Sequence, residues 1–500
     1  MEFGSAIRGV VIGIAACAAA AALLYFGNGL TPQWPLMWFA PLPLLLFALQ
    51  RPTWQAALVT AGGWMAGGLA LWGYLRALGA PPVAWFADFG MGAVVLVAAV
   101  LLMRALVRRG AVWIAWLTLP AVWVTFEFVR AVWLWPYGSS ACIAYSQLNF
   151  LPFLQLASLA GPWGMGFVLL LFPAGLALGI HLWGSARTLA MQVVCATLGV
   201  VGAILIFGAV RLAIPQPGPV VKVGLVASDT VEGIAHSGAA TERLFEEYSQ
   251  SAQELIARGA QVVVLPENVG VVIDPDMART DAIFQAVADR TGATIVAGMT
   301  HIEPTAHYNQ ARIYVPGEAV RSYNKEHLLP PFETGNYKPG TTRTLFEASG
   351  GAAAQTWSVA ICKDLDFSEP ARAYGQARVG LMLTPAWDFR VDGFWHGHAA
   401  AMRAVEDGFS LVRPARRGLL TVTDDRGRIV AETPSNAAPF ATLLTTVPAG
   451  HSRTLFLLLG DWFGWCSMAL SVLAVAQYFG ASIQRAKEAP TDSGEVRDVG

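Results

Sequence analysis

The stretch "SVAICKDLDFSEPAR", Ser358 to Arg372, brings one cysteine to the end of an apolar strand pattern and follows it with Lys363, Asp364 and Asp366. A cysteine kept for packing sits among apolar neighbours and is inert, whereas a working one lies near charge that favours its thiolate. Two other stretches hold residue types that complement a thiol. "VVLPENVG" sets Glu267 just past an apolar strand and a proline, and "SYNKEHLLPPFE" sets Lys325 in a polar loop with Glu333 further on. A carboxylate framed by Val263–Pro266 and Val269–Val272 has the raised proton affinity suited to a general base. Thiolate attack on a carbonyl builds an oxyanion, which the Lys325 ammonium and the Lys363 backbone N–H are placed to hold. The expected product is a thioester that a second nucleophile resolves.

The rest of the composition narrows the choices. Cys17, Cys142, Cys195 and Cys466 lie in apolar stretches, so Cys362 stands alone in the polar part without a disulfide partner. No CxxC or His-rich spacing calls for a metal, and His396 and His398 at i, i+2 would diverge on a helix, so neither a metal nor a cofactor is expected. A net charge of −1 without a long basic or acidic run excludes nucleic acid as a partner. Hydrophobic residues make up 55% and charged residues only 13%, against roughly 25% charged in soluble proteins, so much of the chain must face lipid.

The elements that carry these residues follow from hydropathy. A spanning helix needs about 20 apolar residues. Residues 1–5, MEFGS, read as a cloning remnant. Candidate spans then lie near 7–26, 34–50, 54–77, 90–107, 111–131, 160–182 and 189–210, a bundle of about seven helices within 6–213. One more falls at 454–480, ahead of a tail at 481–500. Basic residues favour one side: Arg8, Arg51, Arg104, Arg108, Arg109, Arg187, Arg485 and Lys487, against Arg76, Arg130 and Arg211 on the other. The positive-inside bias places the first set and the tail in the cytoplasm, and the segment 219–447 outside. Glu127 and Arg130, one turn apart near a span's end, either pair with one another or meet a lipid headgroup.

Residues 219–447 alternate strand and helix patterns. Strands are predicted at 221–228, 261–267, 293–300, 310–317, 356–362 and 379–387, several apolar throughout and therefore buried on both faces. Residues 240–259 form an amphipathic helix ending at glycine, and "DDRG" at 424–427 is a hairpin turn. Helices packed on a mixed sheet make an α/β domain, and sheet ends are where such domains gather catalytic groups.

Glu267 in "LPEN", Lys325 in "YNKEHLLPPFE" and Cys362 in "ICKD" resemble the Glu-Lys-Cys triad of the nitrilase, or carbon–nitrogen hydrolase, superfamily. The resemblance implies an αββα sandwich. Such a domain between a multi-span helical bundle and one last span is similar to the apolipoprotein N-acyltransferase family, as are "FEFVRAVWLWPYG", "AYSQ", "LASLAGPWGMGFVL", "HAAAMRAVEDGFSLVRPARRG" and "VTDDRGRIV". It implies a monomeric enzyme of the bacterial inner membrane with its catalytic domain on the periplasmic side. There Cys362 would take an acyl chain from a phospholipid and pass it to the N-terminal amine of a diacylglyceryl-cysteine lipoprotein. Glu333 matches the family's additional glutamate, a supporting role. The family usually has tyrosine and glutamate after the cysteine. Here Lys363 is a cation expected to favour the thiolate, and Asp364 keeps a carboxylate on a shorter arm.

Both substrates are anchored in the bilayer, so a soluble enzyme would have to extract them at about 0.8 kcal/mol per CH₂. A site at the membrane surface avoids that cost, provided water is excluded from the thioester. Trp387, Phe389, Phe394 and Trp395 in "PAWDFRVDGFWHGH" are either a lid dipping toward headgroups or ordinary core. The altered pair after the cysteine leaves a membrane-tethered amidase, or transfer to a different amine, as an alternative. A transporter or receptor with a binding-only domain is a third reading, disfavoured by the few ionisable residues in the spans.

Overall fold

The structure, a computed structural model, describes residues 2–134, 138–231, 233–235, 238–348 and 355–488, with side chains described between 7 and 480. Residues 135–137 of the "FEFVRAVWLWPYG" motif and the tail from 489 onward lie outside them.

Seven helices among the described residues are long and apolar enough to cross a membrane: Ile7–Gly27, Thr53–Ala77, Pro82–Arg108, Val112–Trp133, Ala157–Leu182, Arg187–Ala213 and Trp462–Gly480. Ala157–Leu182 is the axis of the bundle. Its most apolar window is 78% buried, against 17% for the peripheral Arg187–Ala213. The latter instead presents Leu198, Ile206 and Val210 outward, the surface a lipid solvent requires. Gly161 breaks the axial helix near its start at φ 60°, and a side chain there would meet the Phe456 ring at 2.4 Å.

Three spans differ from their sequence expectation. Residues 34–50 form two short helices, Trp34–Phe39 and Leu42–Gln50, separated at Ala40 and Pro41, because a proline nitrogen has no hydrogen to continue the ladder. The broken pair still runs the length of the bundle. Asn28 and Gly29 before it line the central cavity, while the Arg51 carbonyl after it accepts from Arg104 at the opposite end of Pro82–Arg108. The next expectation, 90–107, starts instead at Pro82, because Asp88 interrupts the hydropathy run and is neutralised in place by Arg130 at 2.9 Å. The final expectation, 454–480, divides at Gly460 (φ 61°) into Leu455–Leu459 and Trp462–Glu488.

The α/β domain holds two seven-stranded sheets. In spatial order the first contains Ala441–Pro448, Val220–Ala227, Val262–Val264, Thr294–Ile302, His307–Tyr314 and Arg321–Asn324, with Val271–Ile273 beside Thr294–Ile302. The second contains Ile429–Pro434, Leu419–Thr423, Ser410–Arg416, Leu381–Leu383, Thr356–Val359 and Leu345–Glu347, with Ala386–Trp387 beside Ser410–Arg416. Strand alternation makes the layers. Val221, Val223 and Leu225 face Val412, Leu420 and Trp357 between the sheets, whereas Val226 meets the helix Ala239–Ala257 on the outer side. The helices Ser368–Gln376 and Ala401–Asp407 cover the other sheet. The result is the expected αββα sandwich, with the 424–427 turn joining antiparallel strands. The last strand pairs along the whole first one, Val220 opposite Pro448 to Ala227 opposite Ala441, so the chain leaves the domain where it entered.

Polar side chains fasten the domain to the bundle. The fully buried Arg403 guanidinium donates to Tyr145 Oη (2.8 Å), Ser139 Oγ (3.0 Å) and Glu406 Oε1 (3.1 Å). Gln155 donates to the Arg426 carbonyl at 2.9 Å, and Arg211 reaches both Gln155 and the Asp425 carbonyl.

Candidate active site

Glu267 follows the strand Val262–Val264, and its backbone N–H donates to the Ala386 carbonyl of the second sheet at 3.3 Å. Gly298 makes this approach possible, since a Cβ there would lie 2.4 Å from the Pro266 carbonyl oxygen. Lys325 follows the strand Arg321–Asn324, and its N–H donates to the Asn309 carbonyl at 2.9 Å. These backbone anchors bring the side chains together: Lys325 Nζ donates to Glu267 Oε1 at 2.7 Å and to Glu333 Oε2 at 2.8 Å. Asn309 bridges the same two carboxylates through Nδ2, at 2.6 Å to each. Glu333 also accepts from the Leu329 N–H at 2.7 Å, which closes its loop around the lysine.

All four side chains are buried, so each charge survives by its partners. Burial pushes the Glu267 carboxyl above its usual range, opposed by Lys325 and reinforced by Glu333. Burial acts to lower Lys325, but the two carboxylates overcome it and hold the ammonium protonated well above its ordinary value. Two of its three N–H groups are committed to carboxylates, leaving one for a reacting atom.

Cys362 opens a 3₁₀ turn, Cys362–Asp366, beyond the strand Thr356–Val359. It has φ 43°, a region that non-glycine residues enter at a cost and that recurs at active sites. Its N–H donates to the Pro385 carbonyl at 3.0 Å, and its thiol lies 3.7 Å from the Trp387 carbonyl oxygen. Burial raises the thiol well above its ordinary value, Glu267 adds to the rise, and Lys325 and Arg413 oppose it. The free protein therefore holds a neutral thiol in the field of Glu267 and Lys325. The Lys363 N–H is at the start of the turn, where helical geometry supplies no internal acceptor.

The two residues after the cysteine do other things than expected. Lys363 Nζ pairs with Asp366 at 3.2 Å and lies 5.6 Å from the Phe367 ring centroid, so Lys325 and Arg413 are the cations that act on the sulfur. Asp364 is fully buried and accepts from Tyr323 Oη (2.7 Å), the His327 N–H (2.8 Å) and the Ile361 N–H (2.9 Å). It shapes the turn and the lysine loop.

A cavity of about 520 Å³ joins Cys362 to the bundle. Cys362, Lys363, Trp387 and Phe389 form one wall; Trp64, Trp123 and Phe126 belong to the other. Trp395 also lines the cavity and packs near Tyr145 (6.0 Å between centroids), whereas Phe394 turns to His398 at 4.3 Å and is not part of the wall. Arg130 bonds Asp88 and the Ala141 carbonyl, Glu127 accepts from the Ile143 N–H at 2.8 Å, and both residues line the cavity.

Three residues of the site had no sequence signal strong enough to single them out. Asn309 lies within the strand His307–Tyr314, and Arg413 within Ser410–Arg416, where it forms a two-pronged pair with Asp388 at 2.6 and 3.0 Å. A polar residue at a buried strand position was the available clue.

Among the described residues no cluster of histidine, cysteine and carboxylates suits a metal ion. The fold and the site define a carbon–nitrogen hydrolase domain carried on a multi-pass bacterial membrane bundle. Residues 230–454 match the carbon–nitrogen hydrolase model, and residues 18–175 match the apolipoprotein N-acyltransferase N-terminal domain. The chain is 26% identical over 396 residues to an apolipoprotein N-acyltransferase of Geobacter metallireducens, covering 73% of this chain and 74% of that one. It is 24% identical over 495 residues to one of Vibrio vulnificus, covering 87% and 93%. A crystal structure of an amidase from Nesterenkonia sp. is similar at 20% identity and a TM-score of 0.38, over 46% of this chain and 91% of that chain. The two domain matches and these relatives make the chain similar to apolipoprotein N-acyltransferases along most of its length.

Proposed function

We propose that this acyltransferase moves a fatty acyl chain from a membrane phospholipid to the N-terminal amine of a diacylglyceryl-cysteine lipoprotein, through a thioester on Cys362. One observation carries the reading. The cavity that contains Cys362 continues into the transmembrane helices, so an acyl chain can reach the sulfur without crossing water.

In the first half-reaction Cys362 Sγ attacks the ester carbonyl while Glu267 takes the thiol proton. The Lys325 ammonium and the Lys363 N–H hold the oxyanion. The carbon–oxygen bond then breaks, and Glu267 returns the proton to the lysophospholipid alkoxide. In the second half-reaction the acceptor amine attacks the thioester, Glu267 takes its surplus proton, and the carbon–sulfur bond breaks to regenerate the thiol. Glu333 and Asn309 hold Lys325 and Glu267 in register throughout. A base with raised proton affinity suits both transfers.

The same geometry favours an outward-facing catalytic domain. Arg51, Arg104 and Arg109 gather at one end of the bundle, where Arg109 donates to the Tyr478 carbonyl at 2.9 Å, and the α/β domain covers the other end. The positive-inside rule supports a cytoplasmic basic end, and with it our reading of the domain as standing on the periplasmic face of the inner membrane.

The test is mass spectrometry of a diacylated lipoprotein peptide incubated with enzyme and phospholipid vesicles. The expected product carries a third acyl chain in amide linkage at its N-terminus. A peptide that stays diacylated while Cys362 becomes acylated would assign the enzyme to a different amine.

A further inference from the structure

Stability alone does not explain the Arg413–Asp388 pair. Both side chains are about 98% buried, and a buried ion pair is commonly no more stable than apolar residues of the same volume. Arg413 occupies a strand whose neighbours Leu411 and Val412 are packed in apolar clusters.

The pair stands directly behind the nucleophile. Asp388 follows Trp387, whose carbonyl oxygen faces the Cys362 thiol at 3.7 Å, and Pro385, two residues earlier, accepts the Cys362 N–H. This segment is pinned at three points. Ala386–Trp387 pairs with Ala415–Arg416, the Asp388 N–H donates to the Arg416 carbonyl at 2.9 Å, and Arg416 lies 4.6 Å from the Trp387 ring centroid. Both Asp388 carboxylate oxygens are then taken by Arg413. Gly418 leaves room for them, since a Cβ there would lie 2.2 Å from Asp388 Oδ2.

We propose that the Arg413–Asp388 pair positions the nucleophile: Asp388 fixes the Trp387 carbonyl against the Cys362 thiol, and Arg413 shares with Lys325 the negative charge that develops on sulfur. The inference rests on Cys362 being the nucleophile of the proposed reaction. Among the described residues, charged groups from different segments act on the sulfur: Glu267 and Asp388 oppose its ionisation, and Lys325 and Arg413 favour it. The adjacent Lys363 is occupied by Asp366. The two members of the pair thus act on the thiol with opposite sign, so the alkylation profiles of the two single variants read their contributions separately.

The experiment measures alkylation of Cys362 by iodoacetamide against pH. It uses the detergent-solubilised full chain and follows the Cys362 peptide by mass spectrometry. Asp388→Asn leaves the Arg413 charge unopposed, so alkylation at pH 7 should be several-fold faster and its rise should move to lower pH. Arg413→Met should do the reverse. The double variant, which removes both charges, keeps the test decisive if Arg413→Met alone does not fold. It should melt within a few degrees of wild type, give a profile shifted from wild type toward higher pH but by less than in Arg413→Met, because Arg413 acts on the thiol more strongly than Asp388, and form the acyl-enzyme at least tenfold more slowly. Slowing by both single variants, unchanged profiles, or wild-type acylation in the double variant would overturn the proposal. A wild-type enzyme that forms no acyl-enzyme would count against the functional reading instead, and the alkylation profiles would still decide this one.

Discussion

The two walls of the central cavity are built on opposite principles. The bundle wall is mostly aromatic and apolar, with Asp88, Glu127 and Arg130 as its charged members, and it is set on helices whose far faces present bare side chains to lipid. The α/β side sets the Cys362 thiol in the field of Glu267 and Lys325, and hydrogen bonds of 2.6 to 2.8 Å tie those two charges to Glu333 and Asn309. The contrast teaches where precision is required. A wall that holds an acyl chain tolerates displacement, because dispersion contacts are many and individually small. A wall that moves protons does not, because a 1 Å misplacement can cost about 10²-fold in rate.

Substitutions should therefore fall into a steep order. Cys362→Ala should abolish acyl-enzyme formation and transfer, a loss on the order of 10³-fold or more, measured with radiolabelled phospholipid. Lys325→Met leaves Glu267 and Glu333 facing each other without a cation. It should cost activity and also about 3–5 kcal/mol of stability, seen as a large drop in Tm. Glu267→Gln should slow acylation by about 10²–10⁴-fold, the range of a lost general base. It should have the opposite effect on simple alkylation. The Glu267 charge holds the Cys362 thiol up, so removing it should shift the alkylation–pH curve to lower pH. Slower alkylation together with slower acylation would indicate a damaged site rather than a missing base.

Away from the charged cluster the effects shrink. Trp395→Ala, which removes a ring lying between the cavity and Tyr145, should lower transfer about tenfold, equivalent to about 1.4 kcal/mol. Phe394→Ala should change neither activity nor stability by more than about 0.5 kcal/mol, because that ring turns away from the cavity. Equal losses for the two neighbours would remove the distinction between wall and surface in this loop.

What could be read from the sequence follows the same division. Hydropathy located the spans because lipid imposes a length and a composition. It missed where Ala40–Pro41 and Gly460 interrupt a helix, since an apolar count does not register a broken backbone. Lys325, Glu333 and Cys362 stood out because each lies in a local polar context near an apolar strand, and Glu267 because it is a carboxylate framed by apolar residues. Asn309, Arg413 and Asp388 did not, because their partners are set by sheet pairing and lie far away in the chain. Lys363 and Asp364 show the limit most plainly. Their types suggested thiolate support and a substitute carboxylate, but Lys363 pairs with Asp366, and Asp364 is consumed by Tyr323, His327 and Ile361.

The central claim is that Cys362 holds the acyl chain covalently, and intact-mass analysis of the full chain after exposure to phospholipid vesicles tests it most directly. The account predicts one added acyl mass on wild type, released by neutral hydroxylamine, and none on Cys362→Ser with the other cysteines unchanged. An unmodified wild type, or an adduct that persists in Cys362→Ser, would contradict it.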